Sequence, residues 1–236
     1  MKTDGTDYLD IKYNEQEKPK TGFPYQLAEY LVNRFELKSG QKLFEIGCGR
    51  CEMLNSFSKL GFEISGVDSS ERARNFAPTN ISKLEILDIS KNNLPFDNNE
   101  FDVIFTKSVI EHISDPTQLM KEILRILKPK GLIIVLTPDW VSQMETFYEH
   151  PTHVHPYQPK GLEDLLIMSG FINTNSENFF YNENLWNSSF WRFIGSILRK
   201  FISTKKGRSL ANLTGIKFLR WSVEKQVLGY GYKPSS

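Results

Sequence analysis

The sequence KLFEIGCGRC at residues 42–51 joins a short apolar strand to a turn that contains two glycines. Residues 52–60 continue with apolar side chains at helical spacing, and Gly61 follows where a helix would end. Glycines allow a sharp bend and a close approach between ligand and backbone. The N-terminus of the next helix presents N–H groups that have no intrahelical partner. This strand–turn–helix unit predicts a ligand site at the carboxyl edge of an open α/β sheet.

Apolar runs of strand length alternate with helical patterns along most of the chain, as is typical of β-α-β units. Ser69 is the predicted N-cap of the third helix, and Asp115-Pro116 is the predicted start of the fourth. The pattern predicts an α/β fold, a Rossmann-like, doubly wound, mostly parallel sheet of seven strands with helices on both faces. Helices are predicted over 26–36, 52–60, 70–76, from 116 to the turn at 128–131, and over 161–169, and strands over 42–46, 63–67, 84–87, 101–105, 132–136, 171–181 and 227–233.

The domain organisation follows from the same patterns. Residues 1–25 are polar and are predicted to form an N-terminal arm or lid, and residues 26–236 form one domain. Its core covers residues 40–184 and the final strand 227–233. Residues 185–221 are aromatic and basic and are predicted to be a helical insertion before the last strand, capping a ligand pocket.

The glycine turn also limits the choice of ligand. A dinucleotide-binding fingerprint needs a third glycine where this sequence has Glu52, and an acid there would repel a pyrophosphate. The run resembles instead the class I methyltransferase motif E/D-x-G-x-G-x-G. Glu45, Gly47 and Gly49 match that motif, and Cys51 stands at the third glycine, a position that we expect to need only a small residue.

Further motifs follow in the order that this resemblance requires. Asp68 ends the second strand about 20 residues after the turn, where a carboxylate can bind both ribose hydroxyls or can cap a helix. Asp88 ends the third strand, where the alternative is an ordinary surface turn. Residues 101–113, with an E-H-I turn, and residues 127–131, similar to an L-K-P-G-G turn, extend the resemblance to about residues 40–140.

The resemblance implies an enzyme, a methyltransferase that uses S-adenosylmethionine and releases S-adenosylhomocysteine. In similar enzymes the acid at the position of Asp88 meets the adenine amino group, and its neighbour supports the ring. The expected cofactor-binding residues are Glu45, Gly47, Cys48, Gly49, Asp68, Ser69, Asp88, Ile89 and Lys107.

The two cysteines, Cys48 and Cys51, have the C-x-x-C spacing of a redox pair or of half a zinc site. The sequence has no second C-x-x-C to complete a zinc site. Their position inside the glycine turn favours a structural role.

Three of the four histidines lie in the segment HPTHVHPY at residues 150–157. Imidazole is the natural general base near neutral pH, and we expect His153 or His155 to orient or deprotonate the acceptor, with His112 near the methyl donor. H-x-x-H-x-H also supplies three possible metal ligands, but we predict loop histidines and no metal. The T-H-V-H-P-Y segment resembles those of bacterial methyltransferases associated with surface polysaccharide biosynthesis. That resemblance implies a sugar, nucleotide-sugar or phosphate-bearing glycan precursor as the acceptor.

Charge is distributed unevenly along the chain. Residues 185–236 contain ten Lys or Arg side chains and one acidic side chain, whereas acids outnumber bases in the rest. The basic segment therefore predicts either a solvated helical surface or an anionic partner, such as a membrane surface, bound through residues 185–225. No apolar run reaches the roughly 18 residues of a membrane span. We expect a cytoplasmic protein, with a peripheral position at the inner membrane surface as the alternative.

Two other functions remain open at this stage. The basic segment would suit an RNA methyltransferase, but the predicted fourth strand leads into Thr106-Lys107-Ser108, not into the N-P-P-Y run that positions a flipped base. We expect no DNA partner. The other alternative is a non-catalytic protein that has kept the nucleoside pocket.

Overall fold

The structure is a computed structural model that describes Leu9 and residues 20–235. The strands are β1 (Lys42–Ile46), β2 (Glu63–Asp68), β3 (Lys83–Ile86), β4 (Phe101–Lys107), β5 (Leu127–Pro138), β6 (Ile172–Phe180) and β7 (Lys225–Tyr232). The α-helices among these residues are α1 (Phe23–Arg34), α2 (Glu52–Lys59), α3 (Pro116–Ile126), α4 (Trp140–Gln143), α5 (Pro159–Met168), α6 (Glu183–Asn187), α7 (Ser189–Phe201), α8 (Thr204–Thr214) and α9 (Phe218–Trp221). Short 3₁₀ helices cover Glu71–Phe76, Ile110–His112 and Phe147–Glu149.

The strands form a seven-stranded sheet in the order β3-β2-β1-β4-β5-β7-β6. β1 pairs in parallel with β2 and with β4, and β2 pairs in parallel with β3. β6 and β7 pair antiparallel. The predicted Rossmann-like, mostly parallel α/β fold is confirmed, because helices connect the strands and the order reverses at β1, as in doubly wound sheets.

The first compact unit comprises residues 1–106, 117–133 and 233–236, of which the structure describes the part given above. Its core is built on phenylalanines of β1, α2 and β4. Phe44 stacks on Phe101 with 5.0 Å between ring centroids, and Phe57 meets Phe105 edge-on at 5.5 Å. These buried rings hold the strands whose carboxyl ends carry the glycine turn.

The second unit comprises residues 107–116 and 134–232. Its antiparallel β6–β7 pair runs from Ile172 opposite Tyr232 to Phe180 opposite Lys225. Helix α5 packs on both strands. A Cβ atom at Gly229 of β7 would lie 2.5 Å from Cδ2 of Leu162, so this close approach of helix and strand requires glycine.

Residues 185–221, the predicted helical insertion, lie mainly in α6–α9. One buried acid ties this segment together. The Glu224 carboxylate accepts hydrogen bonds from Nε of Arg208 and Nε of Arg220, each at 2.8 Å. Burial alone would raise the pKa of Glu224, but the two guanidinium groups outweigh it and hold that pKa below its usual value. Part of the basic character of the segment therefore serves its own packing.

Several local predictions differ from the structure. The third predicted helix is a 3₁₀ helix, and its N-cap is Ser70 rather than Ser69, since Oγ of Ser70 accepts the N–H of Arg72 at 3.2 Å. β5 begins directly after α3 at Leu127, so the predicted turn at 128–131 belongs to the strand. The reason is tertiary: the N–H of Lys130 donates to the carbonyl oxygen of Lys233, a pairing across a long sequence separation.

The predicted N-terminal arm, residues 1–25, lies outside the described residues apart from Leu9 and residues 20–25. Helix α1 starts at Phe23, before the predicted start at residue 26, and Pro24 suits its first turn. Among the described helices, none has both the length and the apolar character needed to cross a membrane.

Candidate functional site

The glycine turn lies at the carboxyl ends of β1 and β2. The N–H groups of Gly47 and Cys48 both donate to the carbonyl oxygen of Val67, at 2.8 and 3.1 Å. Gly47 and Gly49 have φ values of +73° and +50°, in the left-handed region that favours glycine. The turn therefore needs its two glycines for backbone conformation.

Cys51, at the position of the motif's third glycine, is the N-cap of α2 and has φ +53°. The position therefore favours glycine because of its left-handed backbone, not only because of size, which corrects the expectation that a small residue suffices. Both Cys48 and Cys51 are buried and free of a disulfide. A hydrogen bond to Cys51 and then burial raise the pKa of Cys48, so its sulfur is a thiol and not a reactive thiolate.

Asp68, at the end of β2, joins the turn to the following segment. Its Oδ2 accepts the N–H of Gly49 at 2.7 Å, and its Oδ1 accepts the N–H of Ser70 at 2.9 Å. Ser69, between the two, is exposed. Asp68 is therefore not the helix N-cap that the sequence allowed, because Ser70 takes that role. It links the glycine turn to the N-cap residue instead.

Glu45 lies on β1, opposite Gly66 of β2, and is 3% exposed. A Cβ atom at Gly66 would lie 2.7 Å from Cδ1 of Leu54. The acid at the head of the motif is therefore held inside a tightly packed strand pair, two residues before the first glycine of the turn.

Asp88 follows β3 and is engaged locally. Its carboxylate accepts the N–H of Ser90 at 3.1 Å and pairs with Nζ of Lys91 at 2.8 Å. The hydrogen bond from Lys91 is the main reason that the pKa of Asp88 falls to about 2. Ile89, beside it, is half-buried. The Asp88 carboxylate is therefore ionised, and its contacts with Ser90 and Lys91 in the same turn fix its orientation.

The second unit contains a fully buried acid, Glu111, for which the sequence suggested no role. Its Oε2 accepts from Oγ1 of Thr137 at 2.9 Å, whereas Oε1 has no hydrogen-bond partner among the described residues. Burial raises the pKa of Glu111 to about 7. Its backbone carbonyl accepts the N–H groups of Val154 and His155 and so anchors the histidine segment. An acid inside the apolar run VIEHI was the available signal.

The structure brings His112 and His153 together with His150, which the sequence analysis did not select. One ring nitrogen from each of the three lies within 4.8 Å of the others. Nδ1 of His153 lies 2.7 Å from the carbonyl oxygen of Phe147. Oγ1 of Thr152 lies 2.9 Å from Nδ1 of His112 and 3.0 Å from Nδ1 of His150. Burial lowers the pKa of His112, which favours its neutral form.

His155, the third predicted catalytic histidine, lies outside this cluster. Its ring stacks on Tyr157 with 4.7 Å between centroids. Lys107, predicted to bind the cofactor, belongs to the second unit, where its Nζ lies 5.3 Å from the ring centroid of Tyr181. The second unit therefore holds all the predicted catalytic histidines, but in two separate environments.

Comparison with known proteins shows what the region of the glycine turn resembles. Residues 44–135 match the family model described as "Methyltransferase domain", a match that includes the glycine turn, Asp68, Asp88 and β4. Over residues 44–135 the chain is similar to a methyltransferase domain, and this similarity supports the predicted enzyme class and its methyl donor.

A curated relative with this chemistry is a ubiquinone biosynthesis O-methyltransferase from Caulobacter sp. (strain K31). It is 34% identical over 103 residues, which are 42% of this chain and 41% of the relative. The chain thus spans about two fifths of that relative's length.

Solved structures resemble almost the whole chain. A methyltransferase from Archaeoglobus fulgidus, described as SAM dependent, has a TM-score of 0.64 at 21% identity and covers 96% of this chain and 100% of its own. A chain from a Haloferax volcanii complex between the Trm112 methyltransferase activator and a methyltransferase has a TM-score of 0.70 at 18% identity, covering 97% and 99%. These likenesses establish that the methyltransferase fold extends beyond residue 135.

Proposed function

We propose that the protein transfers a methyl group from S-adenosylmethionine to a hydroxyl group of a small polar acceptor, such as a sugar, nucleotide-sugar or glycan precursor. The observation that carries the proposal is the Asp68-clamped glycine turn at the carboxyl ends of parallel strands, inside a methyltransferase domain. That edge is where open α/β sheets bind ligands.

In this proposal the first unit binds the methyl donor. Asp68, at the carboxyl end of β2, is the acid that accepts hydrogen bonds from the ribose hydroxyls. Asp88 and Ile89 meet the adenine. The acidic surroundings of Glu45 suit the positively charged methionine portion, which carries no phosphate.

The reaction is an in-line displacement. The acceptor oxygen attacks the methyl carbon, a new O–C bond forms, and the S–C bond breaks with its electron pair going to sulfur. S-adenosylhomocysteine leaves as a neutral thioether, and the acceptor proton passes to a base. Most of the acceleration comes from alignment of oxygen, carbon and sulfur.

The histidines of the second unit serve the acceptor in this scheme. His155 and His153 are the candidate groups for orienting the hydroxyl or taking its proton, and His112 is the third candidate histidine. His112 and His155 are both tied to Glu111, His112 as its chain neighbour and His155 through a backbone hydrogen bond of 3.0 Å.

The acceptor class rests on the histidine segment, not on the relatives. The family model ends at residue 135, before His150–Tyr157. The names of relatives, which include a ubiquinone biosynthesis O-methyltransferase, therefore suggest quinol-type phenols only as the competing acceptor. A polar segment rich in imidazoles suits a polyhydroxylated acceptor better, because it offers hydrogen-bond partners to several hydroxyl groups.

An acceptor panel tests the proposal. With S-adenosylmethionine present, we expect one nucleotide sugar or sugar phosphate to gain the mass of one methylene, with S-adenosylhomocysteine formed in equal amount, as measured by mass spectrometry. The panel also contains a hydroquinone and small RNAs. Methylation of the hydroquinone or the RNA would refute the glycan acceptor. Tight S-adenosylhomocysteine binding without any turnover would favour a non-catalytic nucleoside-binding protein.

A second proposal concerns α7, whose apolar side chains remain on the surface. Phe190, Phe193 and Phe201 are 62%, 62% and 76% exposed and share one face of the helix with Ile197. Exposed bases of α7 and the following helix include Arg192, Lys200, Lys205 and Lys206. We propose that this face binds an anionic membrane surface, with the rings at the headgroup boundary and the bases toward lipid phosphates.

Vesicle co-sedimentation tests this proposal. We expect binding to vesicles that contain phosphatidylglycerol and not to neutral ones. The double substitution Phe193→Ser and Phe201→Ser should weaken binding at least tenfold, because burial of one Phe contributes about 1.5–3 kcal/mol. Met168→Ser is the matched control, since Met168 is 86% exposed but lies on α5. Equal losses in both variants would refute a specific face.

A further inference from the structure

Three imidazoles from distant parts of the sequence of the second unit come together: His112 after β4, and His150 and His153 after β5. One nitrogen from each lies within 4.8 Å of the others, and all three residues are half-buried. We infer that His112, His150 and His153 form a binding site for one divalent transition-metal ion, preferably Zn²⁺. By sequence alone, residues 150–155 offered three possible ligands, and we predicted no metal. The contribution of His112 changes the ligand set.

The distances are compatible with this assignment. Zinc–imidazole bonds of about 2.0–2.1 Å in a tetrahedral site place the nitrogens about 3.4 Å apart. The ligand nitrogens therefore have to approach by up to about 1.4 Å from their present spacing. Two of the rings, His150 and His153, already stack with 4.5 Å between centroids, and both lie in a loop that follows a short 3₁₀ helix. Metal binding requires this loop to adjust by that amount.

Outer hydrogen bonds orient the rings as metal ligands require. A carbonyl oxygen only accepts, so Nδ1 of His153 donates to Phe147 and the lone pair of the ring lies on Nε2. The Thr152 carbonyl lies 3.1 Å from Nδ1 of His112 and assigns the same tautomer there. The Thr152 hydroxyl can accept from His150 in the same way. Metal-ligating histidines typically use their second nitrogen in this manner.

The donor set selects the kind of ion. Three imidazole nitrogens suit Zn²⁺, Co²⁺ or Ni²⁺, whereas Mg²⁺ and Ca²⁺ require oxygen ligands. A tetrahedral ion held by these three nitrogens takes one further ligand, such as water. With His153 bound to the ion, of the two candidate bases only His155 can take the acceptor proton, since it stacks on Tyr157 outside the set.

The site does not depend on the proposed methyl transfer for its existence. Any use of the ion in catalysis does rest on that proposed function, in which a bound Zn²⁺ would polarise the acceptor hydroxyl. The test therefore measures metal binding and not turnover, so that failure of one proposal is distinguishable from failure of the other.

The experiment uses the untagged full chain, dialysed against a chelator and then titrated with Co²⁺. We expect one Co²⁺ per chain, with the visible absorption of a tetrahedral site, and displacement of that signal by one equivalent of Zn²⁺. Proton NMR of the cobalt form should show three shifted imidazole N–H signals. A thiolate-to-cobalt charge-transfer band would assign the ion to Cys48 and Cys51 instead, and it would overturn the proposal, as would fewer than three shifted signals.

Substitutions distinguish the proposed ligands from a neighbouring histidine. His150→Ala and His153→Ala should each weaken Zn²⁺ binding more than about 100-fold, and Thr152→Val should weaken it about tenfold, as is usual for outer partners of ligands. His155→Ala is the matched control and should bind Zn²⁺ as the unsubstituted protein does. Equal affinity of His153→Ala and His155→Ala, in variants that retain the cooperative thermal transition, would overturn the assignment.

Discussion

Asp68→Ala should reduce the affinity for S-adenosylhomocysteine by about 100-fold or more. The substitution removes the acceptor for the N–H groups of Gly49 and Ser70, at 2.7 and 2.9 Å. Each hydrogen bond to a charged group contributes roughly 1.5–3 kcal/mol. The proposed ribose contact disappears as well. Titration calorimetry with S-adenosylhomocysteine measures the change directly.

Asp102→Ala is the control for this experiment. Asp102 is also a carboxylate of the first unit that accepts one backbone N–H, from Lys42 at 2.9 Å, together with Nζ of Lys128 at 2.8 Å. Lys42 begins β1, so these contacts lie at the edge opposite to the glycine turn. We expect Asp102→Ala to lower the melting temperature but to leave the affinity unchanged. If both variants lose binding to the same degree, Asp68 acts only through stability.

His155→Phe should lower kcat for the acceptor found in the panel by about 10²–10⁴-fold, which is the usual contribution of a general acid or base. Phenylalanine keeps the ring stacked on Tyr157 but removes both nitrogens. Because His155 serves the acceptor in the proposed scheme, the KM for S-adenosylmethionine should stay the same. Steady-state kinetics in both substrates separates the two parameters.

Tyr157→Phe is the matched substitution on the other ring of the stack. The Tyr157 hydroxyl is buried with no hydrogen-bond partner among the described residues. Its removal should therefore preserve both the fold and kcat. An unchanged kcat in His155→Phe would exclude His155 as the base and leave the proton to another group. Parallel losses in the two variants would point to a packing effect.

Much of the fold was predictable because it depends on local patterns. The apolar runs of strand length, the glycine turn and the order of helices and strands together predict a doubly wound sheet from the sequence alone. The predictions were wrong where the surroundings of a residue in the folded chain decide its role. Either Ser69 or Ser70 could cap the helix as judged from the sequence, and in the structure the N-cap is Ser70. The start of β5 at Leu127 depends on Lys233, which no local pattern reveals.

For the candidate site the division is similar. The cofactor-binding predictions concern residues that follow successive parallel strands, and parallel pairing by itself brings their carboxyl ends to one edge. Their roles toward the nucleoside stay predictions. The histidine predictions selected His153 and His155 from one segment, whereas the structure groups His153 with His112 and His150.

The sequence by itself determined the class of fold and the position of the glycine turn, because these depend on backbone requirements that glycines and spacings express. Its resemblance to class I methyltransferases indicated the methyl donor. Only the tertiary structure decided that Asp68 clamps Gly49 and Ser70, that Cys51 adopts a left-handed conformation, and that three imidazoles meet. Two of these features depend on contacts between residues far apart in the chain, Gly49 with Asp68 and His112 with the loop at 150–153. Their distances are set by the packing of strands and loops, which spacing along the sequence does not encode.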